Sequence, residues 1–371
     1  MADTRTVPTL QYREFSRAAH DRAAEHGRVI KAQLEVTYRC NLHCRHCYTD
    51  PHNNSAYFPR ELSFEDILRL LDEMRVLGIV WLNLTGGDIF MHPRFFDIYE
   101  AAYRQGFLLQ LYTNGTLFTR GVIERLQQMP PFTIDISCHS VDEASFDWFT
   151  QVPGSFRAFL RGIDLLQESG LPYTFKTKAM TWNVGELSAI KAFVESHGQR
   201  FTFTTTLSPR LDGDCGPLAL RLPPERIVAL ESEGRDEFPG RNCGAQLPGD
   251  IPSDRLYRCG CGTDTIHINA WGELGACTME YEHRLPLHNR PLAEALTELF
   301  ASIRRRRYET DSPCRTCQVT ALCDKKPTDA RREYGTAEAP IVHACAVAVG
   351  RAARLGLPIV HPLQPQAKHA G

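Results

Sequence analysis

The stretch AQLEVTYRCNLHCRHCY, residues 32–48, places a run of strand-forming residues directly before a loop with three cysteines. β-Branched, aromatic and aliphatic side chains at its start predict a β-strand. Zinc and ordinary iron–sulfur sites take four protein donors, and this loop supplies three thiols. The spacing therefore predicts either a zinc site that borrows a fourth ligand, such as His43 or His46, or an iron–sulfur cluster with one iron left open.

Downstream of this loop, strand and helix patterns alternate as far as residue 209. Apolar residues at helical spacing predict a helix over 63–78, with Ser63 as N-cap and Gly78 as terminator. Such alternation indicates a parallel sheet with right-handed crossovers, either a doubly wound sheet or an incomplete barrel. The predicted strands cover 32–38, 79–86, 107–115, 132–140, 173–180 and 200–209, and the further helices cover 94–106, 119–129, 155–170 and 185–198.

Composition narrows the functional class. The 371 residues are 43% hydrophobic and 23% charged, with a net charge of −2, so nothing indicates binding to nucleic acid or to an anionic membrane. The first residues lack the apolar core of a signal peptide, and no apolar run reaches the length of a membrane span, so we expect a cytoplasmic protein. Thiols stay reduced in the cytoplasm, so the thirteen cysteines indicate metal binding rather than disulfides.

The alternation stops near residue 210, and eight of the cysteines lie in the segment 237–350. This later region shows one clear helical pattern, over 291–309, and little other periodic core. A segment of that kind is expected to be stabilised by metal. The predicted organisation is an N-terminal extension (1–31), a β/α region (32–210), a linker (211–236), a cysteine-rich domain (237–350) and a tail (351–371).

The triad Cys40, Cys44 and Cys47 resembles the CxxxCxΦC signature of the radical S-adenosylmethionine (SAM) superfamily, in which Φ is usually aromatic. The resemblance implies that three thiolates hold a [4Fe–4S] cluster whose fourth iron is chelated by the amino and carboxylate groups of SAM. His46 takes the Φ position, which is expected to lie along the adenine. It also implies a partial (β/α)6 barrel of the TIM type for the alternating region.

A second motif, TGGD at 85–88, resembles the family's GGE-type motif, which binds the SAM amino group. Gly86 and Gly87 would let the backbone approach the ligand closely, and the carboxylate would pair with the ammonium. Asp88 replaces the usual glutamate and has a shorter reach.

Two later strands carry the other candidates for SAM contacts. Ser137 on the fourth strand is the candidate for the ribose, and His139 stands where relatives often have aspartate. Lys176 and Lys178 on the fifth strand are candidates for the SAM carboxylate, with solvated strand ends as the alternative. Cys138 is expected to act as a small buried hydrophobic residue.

The C-terminal cysteines resemble the SPASM extension, which binds auxiliary clusters. Gly272 and Cys277 match its GxxxxC element, and the resemblance implies that four further cysteines hold auxiliary cluster II. A zinc-ribbon site is the alternative for the first three of them. Pro327 stands where the family has a cysteine of auxiliary cluster I. The cluster II set is Cys314, Cys317, Cys323 and Cys345, and cluster I is predicted on Cys243, Cys259, Cys261 and Cys277, or on three of these with an open iron.

The resemblance implies reductive cleavage of SAM to a 5′-deoxyadenosyl radical that abstracts hydrogen from a substrate. Most SPASM relatives modify ribosomally made peptides by thioether or carbon–carbon crosslinks, so we predict a peptide maturase with three [4Fe–4S] clusters. The expected partners are a precursor peptide and a one-electron donor such as flavodoxin or ferredoxin. The alternatives are a tailoring enzyme for a small molecule or tetrapyrrole, and a non-catalytic zinc or redox-carrier protein.

Overall fold

The computed structural model describes residues 11–233, 254–258 and 263–357. Within these ranges nine strands form one sheet. They are β1 (Lys31–Thr37), β2 (Trp81–Gly86), β3 (Leu108–Thr113), β4 (Thr133–Ser137), β5 (Tyr173–Lys178), β6 (Phe203–Thr204), β7 (Thr265–Ile268), β8 (Glu273–Gly275) and β9 (Leu285–Pro286).

Helices connect the parallel strands, and further helices follow the last strand, β9. The α-helices of the described residues are α1 (Tyr12–Glu25), α2 (Phe64–Val76), α3 (Phe95–Arg104), α4 (Arg120–Gln128), α5 (Glu143–Thr150), α6 (Ser155–Ser169), α7 (Leu187–Ser196), α8 (Pro224–Glu233), α9 (Leu292–Arg305), α10 (Pro327–Tyr334) and α11 (Val342–Arg354). Ser63 caps α2 as predicted, since its hydroxyl accepts the N–H of Asp66 at 3.1 Å.

The first six strands lie side by side in chain order, and every neighbouring pair is parallel. Each crossover contains at least one helix, which is what parallel pairing requires. The predicted α/β class and the partial barrel of the TIM type are thereby confirmed, as is the alternation of strands and helices. The carboxyl ends of these strands meet at one edge of the sheet, where parallel folds place their active sites.

The C-terminal region extends the same sheet. β7 pairs in parallel with the opposite side of β1, from Lys31↔Thr265 to Leu34↔Ile268, and β8 and β9 follow in antiparallel order. These three strands were not predicted from the sequence. The predicted boundaries of the linker and of the cysteine-rich domain stay a prediction. The segment predicted as a linker contains α8, which packs against α11 through the ion pair of Glu231 with Arg351.

The two faces of the parallel strands differ in character. In β1, Ala32, Leu34 and Val36 are fully buried in the apolar core under the helices. The alternate positions carry polar side chains, such as Gln33 and Glu35, because successive side chains of a strand point to opposite faces. The sheet thus presents a polar face away from the helices.

The segment predicted only as an N-terminal extension contains α1, which packs across the amino ends of the strands. Trp81 at the start of β2 donates its indole N–H to the Tyr12 hydroxyl at 2.9 Å, and His20 pairs with Asp264 just before β7. A search of the described ranges finds no helix with the length and apolar character that a membrane crossing requires.

Candidate functional site

The loop with the three cysteines follows β1, and hydrogen bonds fix its backbone. The Cys40 N–H donates to the Asn53 side-chain oxygen at 3.0 Å, and the Asn53 amide donates back to the Cys40 carbonyl at 3.0 Å. The N–H groups of His43 and Arg45 donate to the last two residues of α5, each at 3.0 Å. These contacts tie the loop to the segment around Asn53 and to the end of α5.

The three cysteines of this loop are half-buried. Burial raises the pKa of all three, most strongly for Cys40 and Cys44, and the Asp88 carboxylate adds to the effect at Cys40. A thiol in such surroundings becomes a thiolate only when a metal stabilises the negative charge. The donor set therefore fits a bound metal centre and does not fit a reactive, solvent-facing cysteine.

Gly86 and Gly87 bring the end of β2 against the cysteine loop. A Cβ on Gly86 would lie 2.0 Å from the Thr37 oxygen, and one on Gly87 would lie 2.3 Å from the Arg39 oxygen. The N–H groups of Gly87 and Asp88 donate to these same two oxygens at 2.8 and 2.9 Å. The space that the glycines provide is occupied by the chain leading to Cys40, so both residues shape the loop.

Asp88 is fully buried, and both of its oxygens accept hydrogen bonds from the protein. One oxygen accepts the Thr113 hydroxyl at 2.7 Å and the Asn114 N–H at 2.8 Å, and the other accepts the Phe90 N–H at 3.1 Å. The Asn114 side chain in turn reaches the Cys40 sulfur at 3.8 Å. Asp88 thus joins the ends of β2 and β3 beside the cysteine loop, and its contact with the SAM amino group stays a prediction.

His46 lies in a buried aromatic cluster next to the cysteines. Its ring centroid is 4.9 Å from that of His139 and 5.0 Å from that of Phe149, which stacks on Trp182 at 4.6 Å. Burial lowers the pKa of His139 to about 3 and holds that of His46 well below its usual range. Both imidazoles are neutral at pH 7 and offer flat, uncharged surfaces to an aromatic ligand.

The candidates on β4 and β5 differ in their surroundings. Ser137 ends β4 with its side chain exposed on the polar face. The Lys178 ammonium donates to the Thr206 carbonyl at 2.9 Å, and burial lowers its pKa to about 8. Lys176 lies nearer the amino ends of the strands and pairs with Asp135 at 3.3 Å. Lys178 is therefore the better placed of the two lysines for an anion at the carboxyl ends.

The second cysteine set lies between two short 3-10 turns and α11. Cys314 lies within the first turn and Cys317 directly follows it. Cys323 follows the second turn, and Cys345 is buried in α11. Burial raises the pKa of Cys323 to about 11 and that of Cys345 to about 12, and the other thiols of the set add to both effects. The four thiols are close enough to influence one another's pKa, and their role as ligands of auxiliary cluster II stays a prediction. Cys243, Cys259 and Cys261 lie outside the described residues.

The spacing of the sulfurs bears on the zinc alternatives. A tetrahedral zinc with Zn–S bonds of about 2.3 Å needs sulfurs about 3.8 Å apart. Among the described residues, no three thiol sulfurs all lie within 4.8 Å of one another. The potential ligand atoms of Glu280, Glu282 and His283 do lie within that distance of one another. In the described residues, therefore, no three thiols are already arranged as the ligands of one zinc ion.

Comparison with known families bears on the same region. The model of the radical SAM superfamily matches residues 34–185, which run from β1 through the cysteine loop to the turn before α7. The chain carries a radical SAM domain. SAM together with one [4Fe–4S] cluster is the cofactor set of this enzyme class, and the assignment of Cys40, Cys44 and Cys47 as the ligands of that cluster stays a prediction.

Several relatives share the radical SAM domain. AdoMet-dependent heme synthase of Nitratidesulfovibrio vulgaris is 30% identical over 164 residues, 44% of this chain and 44% of that protein. The antilisterial bacteriocin subtilosin biosynthesis protein AlbA of Bacillus subtilis is 25% identical over 291 residues, 75% of this chain and 59% of that protein. The chain thus aligns with about half of the length of these relatives.

Among solved structures, Streptococcus suis SuiB bound to precursor peptide SuiA has the same fold. The superposition has a TM-score of 0.63 and covers 91% of this chain and 82% of that chain, at 14% sequence identity. The likeness extends beyond the radical SAM domain into the C-terminal region.

One buried polar group beside the radical SAM domain's cysteine loop was missed by sequence analysis. Glu35 in β1 is fully buried, 3.5 Å from His267 of β7 and 3.4 Å from the hydroxyl of Tyr48, which follows Cys47. Arg284 donates to His267 at 3.0 Å and to the Cys277 carbonyl at 3.4 Å. A glutamate inside a predicted strand was the available signal, since buried carboxylates are rare without a partner.

Proposed function

We propose that the protein is a radical SAM enzyme that modifies a ribosomally synthesised peptide and uses auxiliary iron–sulfur clusters. The observation that supports the proposal is the presence of two separate sets of neighbouring thiols, one in the radical SAM domain and one formed by Cys314, Cys317, Cys323 and Cys345. A single set would suffice for SAM cleavage alone. The second set supports the SPASM-type extension.

A peptide substrate is supported by the extent of the likeness to peptide-modifying proteins. The alignment to AlbA, named for bacteriocin biosynthesis, takes in 75% of this chain, and the SuiB complex that shares the fold contains a precursor peptide. The alignment to the heme synthase takes in 44%. The longer alignment extends past the radical SAM domain, so it includes residues that differ with the substrate class.

When bound, the [4Fe–4S] cluster and SAM supply reductive cleavage to a 5′-deoxyadenosyl radical, chemistry that no side chain offers. In our proposal the chain holds the cluster on Cys40, Cys44 and Cys47 and shapes their loop through Gly86 and Gly87. The neutral imidazoles and aromatic rings around His46 provide a dry surface for the adenine. Water exclusion at this surface protects a reactive species from side reactions.

Ser137 and Lys178 complete the proposed SAM site. The exposed hydroxyl of Ser137 on the polar face would donate to or accept from the ribose. The buried Lys178 ammonium would face the SAM carboxylate, with the Thr206 carbonyl as its present partner. A buried cation pairs strongly with an anion because little water competes for it.

Three clusters are proposed in all, one on the radical SAM triad and two in the C-terminal region. Protein reconstituted without oxygen should then contain iron and sulfide for close to three [4Fe–4S] clusters. The triple change of Cys40, Cys44 and Cys47 to Ala should remove one cluster and all SAM cleavage. Zinc as the main metal, with SAM intact after dithionite reduction, would exclude the proposed chemistry.

The substrate class needs a second experiment. The reconstituted enzyme is incubated with SAM, dithionite and a short peptide encoded next to its gene, and the peptide is analysed by mass spectrometry. A crosslink appears as the loss of two hydrogens, about 2 Da, and the triple cysteine variant is the matched control. A tetrapyrrole tailoring enzyme, which the heme synthase likeness favours, would leave the peptide unchanged and convert an iron porphyrin instead.

A further inference from the structure

Lys325 lies against the second cysteine set. Its backbone N–H donates to the Cys323 sulfur at 3.4 Å. Its ammonium donates to the Tyr308 hydroxyl at 3.2 Å and to the Glu338 carbonyl at 3.1 Å, and it lies close enough to the Cys314 thiol to interact with it. One residue therefore contacts two of the four proposed ligands of auxiliary cluster II.

This cation has no carboxylate partner at close range. Within the described part of the chain, no carboxylate oxygen lies within 4.0 Å of the Lys325 ammonium, and its two hydrogen-bond acceptors are neutral oxygens. The next residue, Lys326, differs in this respect because its ammonium pairs with Asp329 at 3.7 Å. The Glu338 carboxylate, whose pKa Lys325 helps to lower, interacts with this cation only from beyond ion-pair distance, whereas the Cys314 thiol is near enough for a hydrogen bond.

A second cation, Arg258, adds positive charge next to the same cysteine set. The Arg258 guanidinium lies 5.4 Å from the centre of the Tyr308 ring, and the Lys325 ammonium lies 5.1 Å from it. Arg258 donates to the Thr320 hydroxyl at 2.9 Å and lies near Cys317. Tyr308 itself is buried, so little water screens either charge.

We propose that the Lys325 ammonium stabilises the reduced form of the cluster held by Cys314, Cys317, Cys323 and Cys345, and so raises the reduction potential of that cluster. The inference rests on the proposed auxiliary cluster. Four thiolates around a [4Fe–4S] core give a net negative charge that grows by one on reduction, and a fixed cation close to the sulfurs favours the more negative state. With four protein ligands this cluster has no open iron, so electron transfer is the role left to it.

The test measures the reduction potential of this cluster in the full chain. The background carries the triple change of Cys40, Cys44 and Cys47 to Ala, and the EPR signal that disappears with Cys345→Ala is assigned to the cluster. Lys325→Met, which removes the charge at similar length, should lower the equilibrium constant for reduction about tenfold, or about 59 mV for one electron. Lys325→Arg should retain the original potential, and Lys326→Met is the matched control with no expected shift.

The outcomes separate the two proposals. Absence of a Cys345-dependent cluster in the background protein would contradict the proposed function and the role of Lys325 together. A fully loaded cluster whose potential is unchanged in Lys325→Met would overturn the role of Lys325 alone. Lys325→Gln, which keeps a donor for Tyr308, is made in parallel. Loss of the cluster's iron in both variants would make Lys325 a structural support and would also overturn the inference.

Discussion

The two roles open to Asp88 make opposite predictions for the stability of the protein without SAM. If Asp88 served only to bind the SAM ammonium, its carboxylate would be buried without a partner in the ligand-free protein. Replacing it with a neutral side chain would then not lower the stability of that protein. In the structure, however, the Asp88 carboxylate accepts three hydrogen bonds from Phe90, Thr113 and Asn114. Asp88→Asn should therefore destabilise the ligand-free protein.

The size of this loss of stability follows from the number of hydrogen bonds that an asparagine at position 88 can accept. An asparagine offers one carbonyl oxygen, and its amide group must face at least one of the three donors. The loss of one hydrogen bond to a charged acceptor costs about 1.5–3 kcal/mol. Removing a buried charge recovers part of its desolvation penalty, so we expect a net loss of about 2 kcal/mol in the free energy of unfolding.

Equilibrium urea denaturation of the iron-free protein measures this difference. Asp97→Asn is the matched control, because that carboxylate pairs with Arg94 at the surface, where each side chain is 48% exposed. An exposed pair of this kind contributes little, so the control should change stability by no more than about 0.5 kcal/mol. Unchanged stability of Asp88→Asn, together with a ten- to hundredfold loss of SAM affinity by calorimetry, would refute this reasoning and favour the direct contact.

Three further predictions concern other residues of the two sites. Gly87→Ala should destabilise the protein by about 3 kcal/mol in urea, because its Cβ would lie 2.3 Å from the Arg39 oxygen. Gly121→Ala in α4 is the control, because its Cβ would meet no atom within 4 Å, and it should be neutral or stabilising. An equal loss of stability in Gly87→Ala and Gly121→Ala would contradict the steric reason given for Gly87. Burial holds the pKa of His139 at about 3, below its unfolded value of about 6.5. The stability that the neutral imidazole contributes is therefore fully present above about pH 6.5 and is lost as the pH falls toward 3. Thermal or urea unfolding should show about 2 kcal/mol of loss from pH 7 to pH 5, and His139→Gln should flatten that slope. Cys243→Ala should lower the iron content of the reconstituted protein if Cys243 is a ligand of auxiliary cluster I, whereas full iron with an unaltered EPR signal would favour an open-iron site.

The parallel strands of the radical SAM domain were predictable because their signal is local. Each strand is a short apolar run, each helix repeats its apolar residues at helical spacing, and Ser63 marks a helix start in the sequence itself. The pairing of β7 with β1 has no such signal. It joins residues more than two hundred positions apart, through a strand of only four residues, and only the folded sheet brings them together.

The candidate site divides in the same way. The cysteine spacing predicts which residues bind metal, because coordination chemistry restricts both ligand type and ligand number. The close approach of Gly86 and Gly87 to a ligand stays a prediction, and the structure adds that the backbone leading to Cys40 lies where a Cβ on either glycine would stand. A glycine indicates that space is needed, and only tertiary structure shows which atoms fill it.

The position of β1 explains how the two ends of the protein can act together. β1 lies between β2, which carries the GGD turn, and β7, which leads through β8 to Cys277. Neighbouring strands stand about 4.8 Å apart and are hydrogen-bonded along their length, so the sheet fixes the distance from the cysteine loop to Cys277. The buried pair of Glu35 and His267 adds a polar contact across the same boundary. Radical chemistry depends on reacting atoms held at fixed separation, and a continuous sheet supplies that where a flexible linker between two domains would not.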